Sequence, residues 1–468
     1  MTMEDTKNCD NKPNSQFTWQ QVSEHNHPDS AWVIYNRKVY DVTKWIDKHP
    51  GGKEMLVLHA GRDITDTLQS YHPFSDLPLK VIAKYEIGTL TGESEFPEFA
   101  KDTGFYQECR EQVGEYFRKR KLDPKDGFPG LWRMCLVFVV ATLSYFVMNG
   151  CVGSMNYSLP PMILAGIVFG VCQALPLLHV MHDSSHAAYT KNHRMWGLVG
   201  RFTLDWFAGA NLSSWLHQHV VGHHIYTNVA GVDPDLPVNF ESDMRRIVER
   251  QVLRPIYAWQ HIYLPPLYGL LSIKSRLQDF TDTFMRQAKG SIRVNPLSTK
   301  SWTLLAFSKC FWLTYRILIP IYYLNVPLGF FWTTFAITEL VTGWYLAFNF
   351  QVSHVSTVCE YTCGKENLTP NLAGEWAVLQ VKSSMDYAHG SWFTTFMTGA
   401  LNYQITHHLF PCVSQYHYPD IAPIIMDICK KYDIKYTVLP SFWDAFTAHL
   451  KHLRTMGVSG RSVSVHMG

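Results

Sequence analysis

LPPMILAGIVFGVCQALPLLHVMHDSSH, residues 159–186, runs from an uncharged apolar stretch straight into two histidines four positions apart. The apolar part, 159–180, is close to the ~20 residues that a helix needs to cross a hydrocarbon core. On a helix, positions three and four apart share a face, so His182 and His186 aim their rings the same way. One such pair is a weak signal, and its meaning depends on what surrounds it.

Three more apolar runs are expected to span a membrane: 131–149, 304–324 and 326–350. The third span contains Lys309 and Arg316, charges that count against a lipid-facing helix. Asn325 separates it from the fourth. Arg118-Lys119-Arg120-Lys121 precedes the first span, the connections after the first and third are uncharged, and 244–293 is rich in Lys and Arg. By the positive-inside rule both termini and the central segment face the cytosol. Residues 262–273, apolar and followed by Lys274 and Arg276, suit a position along the membrane surface. Two closely spaced hairpins of this length would be unusual as buried helices of a soluble protein.

The 468 residues leave room for two to three domains. Lys plus Arg (41) nearly balances Asp plus Glu (39), which excludes a basic field for nucleic acid. The ten cysteines form no paired framework and are read as reduced thiols. Residues 1–15 are polar, without the apolar core of a secretory signal, and are expected to be disordered in the cytosol.

Residues 16–90 alternate short strand and helix signals and read as an α+β module, with WVIYNRKVYDV turning as a hairpin at Asn36-Arg37. His49-Pro50-Gly51-Gly52 is followed 23 positions later by His72. Two histidines could clasp one haem iron, fill both axial sites and so favour electron transfer over oxygen binding. Spacing alone favours reading each of them as an ordinary surface or core residue. DVTKWIDKHPGG, AGRDIT and YHP, however, closely resemble the cytochrome b5 family over its domain length. The resemblance implies haem b, with His49 and His72 as axial ligands. Residues 91–130 then read as a linker, 131–455 as an all-α membrane domain with about four spans, and 456–468 as a tail.

Two further clusters join the first: His219-Val-Val-Gly-His223-His224 and Gln404-Ile-Thr-His407-His408. Seven histidines and an amide exceed what one tetrahedral ion can use, so two metal ions are implied. A carboxylate-bridged di-iron bundle needs Glu-x-x-His on two helices, and the only match, Glu24 to His27, lies in the α+β module. There is no His-Glu-x-x-His or Gly-x-Ser-x-Gly motif.

HDSSH, HVVGHH and QITHH, behind a fused haem domain, closely resemble the membrane fatty acid desaturases called front-end desaturases. The resemblance covers nearly the whole chain, and Gln404 is its most diagnostic residue. It implies two non-haem irons held by His182, His186, His219, His223, His224, Gln404, His407 and His408, with His354 as a further ligand. It also implies dioxygen as co-substrate, electrons from an NADH-dependent flavoprotein reductase through the haem, and a location in the endoplasmic reticulum. The substrate would be a polyunsaturated acyl chain in coenzyme A or phospholipid form. NPLST, DYAHGSWFTTFMTGALNYQ and HHLFPCVSQYHYPDI look most like delta-5 enzymes, which convert dihomo-gamma-linolenate to arachidonate, with an omega-3 equivalent. Delta-6, delta-8 and delta-4 relatives share the clusters. The rivals are a di-iron lipid hydroxylase, against which Gln404 argues, and a membrane-tethered electron carrier, against which the intact clusters argue. Asp183 and Asp386 are candidates to orient ligand imidazoles. His179, His193, His217, His389 and His417 stand outside the pattern as structural or supporting residues.

Overall fold

Tyr35 pairs with Lys38 across a two-residue turn in which Asn36 and Arg37 have φ of 48° and 61°, the left-handed geometry that a tight hairpin requires. This hairpin is the centre of the N-terminal module in the computed structural model, which describes residues 15–152, 157–236, 239–363 and 371–459. The expected disordered start, apart from Ser15, and positions 460–468 of the expected tail lie outside those residues.

Ser15–Thr18 runs parallel to Glu86–Thr91, which is followed across the sheet by Lys38–Asp41, Ser30–Tyr35 and Asn26–His27. A capping box, Thr18 with Gln21, starts the helix Trp19–Glu24. Ala31, Val33, Tyr40, Val42, Ile46, Ala60 and Ile64 form the core. The helices Lys53–His59 and Thr65–Tyr71 pack beside it. His49 follows the turn Thr43–Lys48, and His72 follows Thr65–Tyr71.

The segment expected as a linker does more than connect. Glu98–Ala100 pairs with Asn371–Glu375, and Phe105–Arg120 is a helix. Phe105, Cys109, Val113 and Phe117 form a buried stripe at helical spacing and pack against Ile421, Ile425 and Phe410. The stripe is thin in an otherwise polar stretch, which is why composition alone reads as linker.

Among the described residues, three helices are long and apolar enough to cross a membrane: Phe128–Met148, Leu159–Ser185 and Thr299–Tyr323. The fourth expected span is the 24-residue helix Leu328–Gln351. Both Phe128–Met148 and Leu328–Gln351 lie against the second span. Gly166 and Gly170, one turn apart, allow that approach: a Cβ at Gly170 would stand 2.9 Å from the carbonyl of Thr338. Thr338 and Thr342 donate to the carbonyls of Gly166 and Gly170 at 3.1 and 3.0 Å.

The charges inside the spans have partners. Arg316, 1% exposed, donates to Glu339 at 3.2 Å, and Arg276 reaches the other Glu339 oxygen. Ser272 also donates to Glu339, at 2.9 Å, and Lys309 pairs with Asp279 at 2.7 Å. Side chains from the surface segment thus neutralise charges that would be costly in lipid. The segment itself forms the helices Gln260–Tyr268 and Leu271–Phe280, with Ile262, Leu267, Leu270 and Ile273 exposed. The last helix, Phe442–Val458, passes position 455, the expected end of the body, because Ala445, His449, His452, Leu453 and Gly457 continue one buried face.

Candidate metal centres

His49 and His72 face each other with ring planes 14° apart and centroids 6.3 Å apart. Two metal–nitrogen bonds of about 2.0 Å, with half a ring at either end, fill that gap. His49 Nδ1 lies 3.1 Å from the carbonyl of Gly52, which fixes the ring. Gly52 has φ of 86°, and a Cβ at Gly51 would stand 2.7 Å from His49 Cε1, so both glycines are needed here. Burial pulls His72 down to about 4 and also lowers His49, which leaves both rings neutral, as ligation requires. The residues fit a haem iron held on both sides.

The second centre is built from four distant segments. The first membrane-crossing helix of the histidine region does not stop at 180. Past Pro176 it loosens into a π-helical turn, Leu177–Met181, and continues through His182 to Ser185, so His182 sits on the span's own last turn. His219 and His223 lie in another π-helical stretch, His217–His223, and His224 caps it, its N–H donating to the His219 carbonyl. The wider turn brings positions five apart onto one side. His219 and His224 therefore meet at 3.3 Å between their Nε2 atoms, which an ordinary α-helix would not allow. The short helix Gln404–Leu409 supplies Gln404, His407 and His408, and His354 follows Leu328–Gln351.

All nine proposed residues are buried in one cluster. His182, His186, His219 and His407 bring ring nitrogens within 4.8 Å of one another, as do His223, His354 and His408, while His224 groups with His407 and His408. Gln404 Nε2 lies 2.9 Å from His354 Nε2 and 3.2 Å from His408 Nε2, with its Oε1 unpartnered. A half-turn of the amide would put the oxygen there instead. Burial and the neighbouring imidazoles hold His186, His219, His224, His407 and His408 well below the usual histidine range, so these rings are neutral.

Neutral rings facing each other at 3.2 Å, such as His182 with His219 and His354 with His408, can share at most one proton per contact. Among the described residues, His186 Nε2 and His407 Nε2 have no hydrogen-bond partner. Buried lone pairs left so are costly, and cations among them would satisfy the whole set. Two such ions, each with imidazole ligands, match the donors present.

Outside the cluster, other groups hold the rings in place. His223 donates to Asp233 at 3.1 Å, with Asp235 at 3.5 Å; burial lowers this ring, but the two carboxylates outweigh it and leave His223 raised. His407 Nδ1 lies 3.0 Å from the Tyr418 hydroxyl, and His408 Nδ1 lies 2.8 Å from Gln380 Oε1. Asp183 and Asp386 do not orient ligand rings. Asp183 accepts from Ser414 and the Gln415 amide, and Asp386 accepts from His389, Tyr436 and the Ile405 amide. The orienting carboxylates belong to DPD, 233–235, whose signal in sequence is an acidic pair around a proline nine residues past the second cluster. His179 and His217 have both ring nitrogens occupied by protein groups, and His417 contacts the Asp123 carbonyl. His193 packs on Gly52, beside the haem pocket.

The fatty acid desaturase family profile matches residues 157–440, and the cytochrome b5-like heme/steroid binding domain profile matches residues 18–91. An acyl-lipid (8-3)-desaturase B of Dictyostelium discoideum is 37% identical over 97% of each chain. A Delta(5) fatty acid desaturase A of the same organism is 38% identical over 94% of each chain. An acyl-lipid (8-3)-desaturase of Mortierella alpina is 39% identical over 94% of this chain and 97% of its own. With a haem pocket in the first domain and a histidine cluster fit for two irons in the second, this chain belongs to the fatty acid desaturase family, among the front-end members that carry their own cytochrome b5 domain.

Proposed function

We propose that this chain inserts a cis double bond at the delta-5 position of a polyunsaturated acyl chain, converting dihomo-gamma-linolenate to arachidonate and acting likewise on the omega-3 counterpart. The observation that carries the reading is the convergence of three histidine clusters and His354 in one buried site beside a haem pocket. Relatives of 37–39% identity named as Delta(5) and (8-3) desaturases support the position.

His182, His186, His219 and His407 would hold one iron, and His223, His354, His408 and Gln404 the other, with His224 between them. Bound there, the irons supply dioxygen activation strong enough to remove hydrogen from an unactivated methylene. Asp233 fixes the tautomer of His223, so that its Nε2 stays free for the metal. His49 and His72 would hold the haem between them, and it would supply single-electron transfer from an NADH-dependent flavoprotein reductase. The acyl tail would run beside the apolar cluster of Leu177, Met181, Leu204, Ala208 and Leu212. Trp215 packs against that cluster and stacks on His219 at 4.4 Å, and the cluster would exclude water from the reacting carbons. Acyl chain, dioxygen, two electrons and two protons give an alkene and two waters. The membrane is that of the endoplasmic reticulum, with both termini cytosolic.

A yeast without polyunsaturated fatty acids, expressing the chain and fed dihomo-gamma-linolenate, should make arachidonate, seen by gas chromatography with double-bond localisation. A new bond in a different fed acid would reject delta-5 and keep the enzyme class. A hydroxylated product would reject desaturation.

A further inference from the structure

The haem domain reaches into the histidine cluster with one side chain. Tyr71, the residue before His72, places its hydroxyl 2.8 Å from His186 Nδ1. The Nε2 atom of the same ring is buried among His182, His219 and His407, with no hydrogen-bond partner among the described residues. A histidine that binds metal through Nε2 carries its proton on Nδ1 and donates it to an outer group, which sets ring orientation and basicity. For His223 and His407 that outer group comes from the membrane domain, as Asp233 and Tyr418. For His186 it comes from the other domain.

The position of Tyr71 is built, not incidental. Asn295 donates to the carbonyls of Val57 and Ala60 at 2.8 and 3.0 Å and accepts from Arg62 at 3.0 Å, while its own N–H donates to His217. Arg110 donates to the Pro73 carbonyl at 2.8 Å, and Phe74 stacks on Phe410. These contacts clamp the haem domain on both sides of Tyr71.

We infer that Tyr71 is a positioning residue for His186, through which the haem domain completes the desaturase site. It also forms a direct covalent and hydrogen-bonded route from a haem ligand to that site, His72 to Tyr71 along the backbone and Tyr71 to His186 across one hydrogen bond. Each crossing moves one electron: ferrous haem is oxidised to ferric and the metal site is reduced by one. The inference rests on the reading that the haem discharges into the histidine cluster.

The test uses the full chain, purified with haem and iron, reduced without oxygen by dithionite, then mixed with aerated buffer. Dihomo-gamma-linolenate is supplied as whichever of its coenzyme A thioester or phosphatidylcholine forms the wild type accepts. Haem reoxidation is followed by absorbance and normalised to measured iron. Tyr71→Phe should leave the haem spectrum unchanged and slow reoxidation by about 10- to 100-fold, the usual effect of losing such an outer partner. Phe74→Leu, which thins the same interface without touching His186, should change it by less than about twofold. Wild-type reoxidation in Tyr71→Phe, or equal slowing in both variants, overturns the inference. His407→Ala should block reoxidation; if it does not, the haem does not discharge into this cluster and the reading beneath the inference fails instead.

Discussion

The haem pocket takes both of its imidazoles from positions 49 and 72 of one small domain, whereas the histidine cluster gathers its residues from 182 to 408 across the membrane body. The first closes over a core of its own and needs no contact with the rest of the chain to bring its two rings face to face. The second exists only when π-helical turns, a span end, the residues after a long helix and a short late helix are packed together. The two sets of ligands should therefore fail separately: loss of a ligand in one leaves the other's metal in place, and the centres are joined by the passage of electrons and by the contact of Tyr71 with His186.

The sharpest way to break this separation is His407→Ala, which removes a ring shared by two of the histidine groups. Product should fall below detection by gas chromatography while the haem absorbance of the purified protein stays that of the wild type. Loss of haem in this variant would mean that the centres fold as one. The converse is His49→Ala, which should abolish the haem spectrum and NADH-driven turnover yet retain non-haem iron by metal analysis. Asp233→Asn sharpens the comparison inside the cluster. It removes the carboxylate that keeps His223 proton-bearing on Nδ1, and should lower iron affinity or turnover by about 10- to 100-fold, with haem reduction unchanged. The smallest effect on chemistry is expected from Glu339→Gln. Leaving Arg276 and Arg316 without their buried partner should cost about 3–5 kcal/mol, read as a lower melting temperature in detergent, with both metals bound below it.

Much of this was legible in sequence because it depends on local pattern. Apolar length located Phe128–Met148 and Leu159–Ser185 to within a few residues at their starts, and the Asn36-Arg37 turn marked its hairpin. The clusters named eight donors by spacing and family resemblance. What escaped depends on contacts distant in sequence. Lys309 and Arg316 look like flaws in a span until Asp279 and Glu339 are seen beside them. Tyr71 is an unremarked aromatic until the haem domain docks, and the buried stripe of Phe105–Arg120 is sparse enough to pass for a linker. The π-helical turns were invisible for another reason: they place positions five apart on one side, a spacing that a search for 3.6-residue periodicity does not reward.

The most direct test of two centres working in series is a metal count tied to turnover. Purified wild-type protein should hold two non-haem irons for each haem, and stepwise removal of that iron by a chelator should lower desaturation in proportion while the haem spectrum stays constant. Desaturation that persists after the non-haem iron is gone would contradict the account.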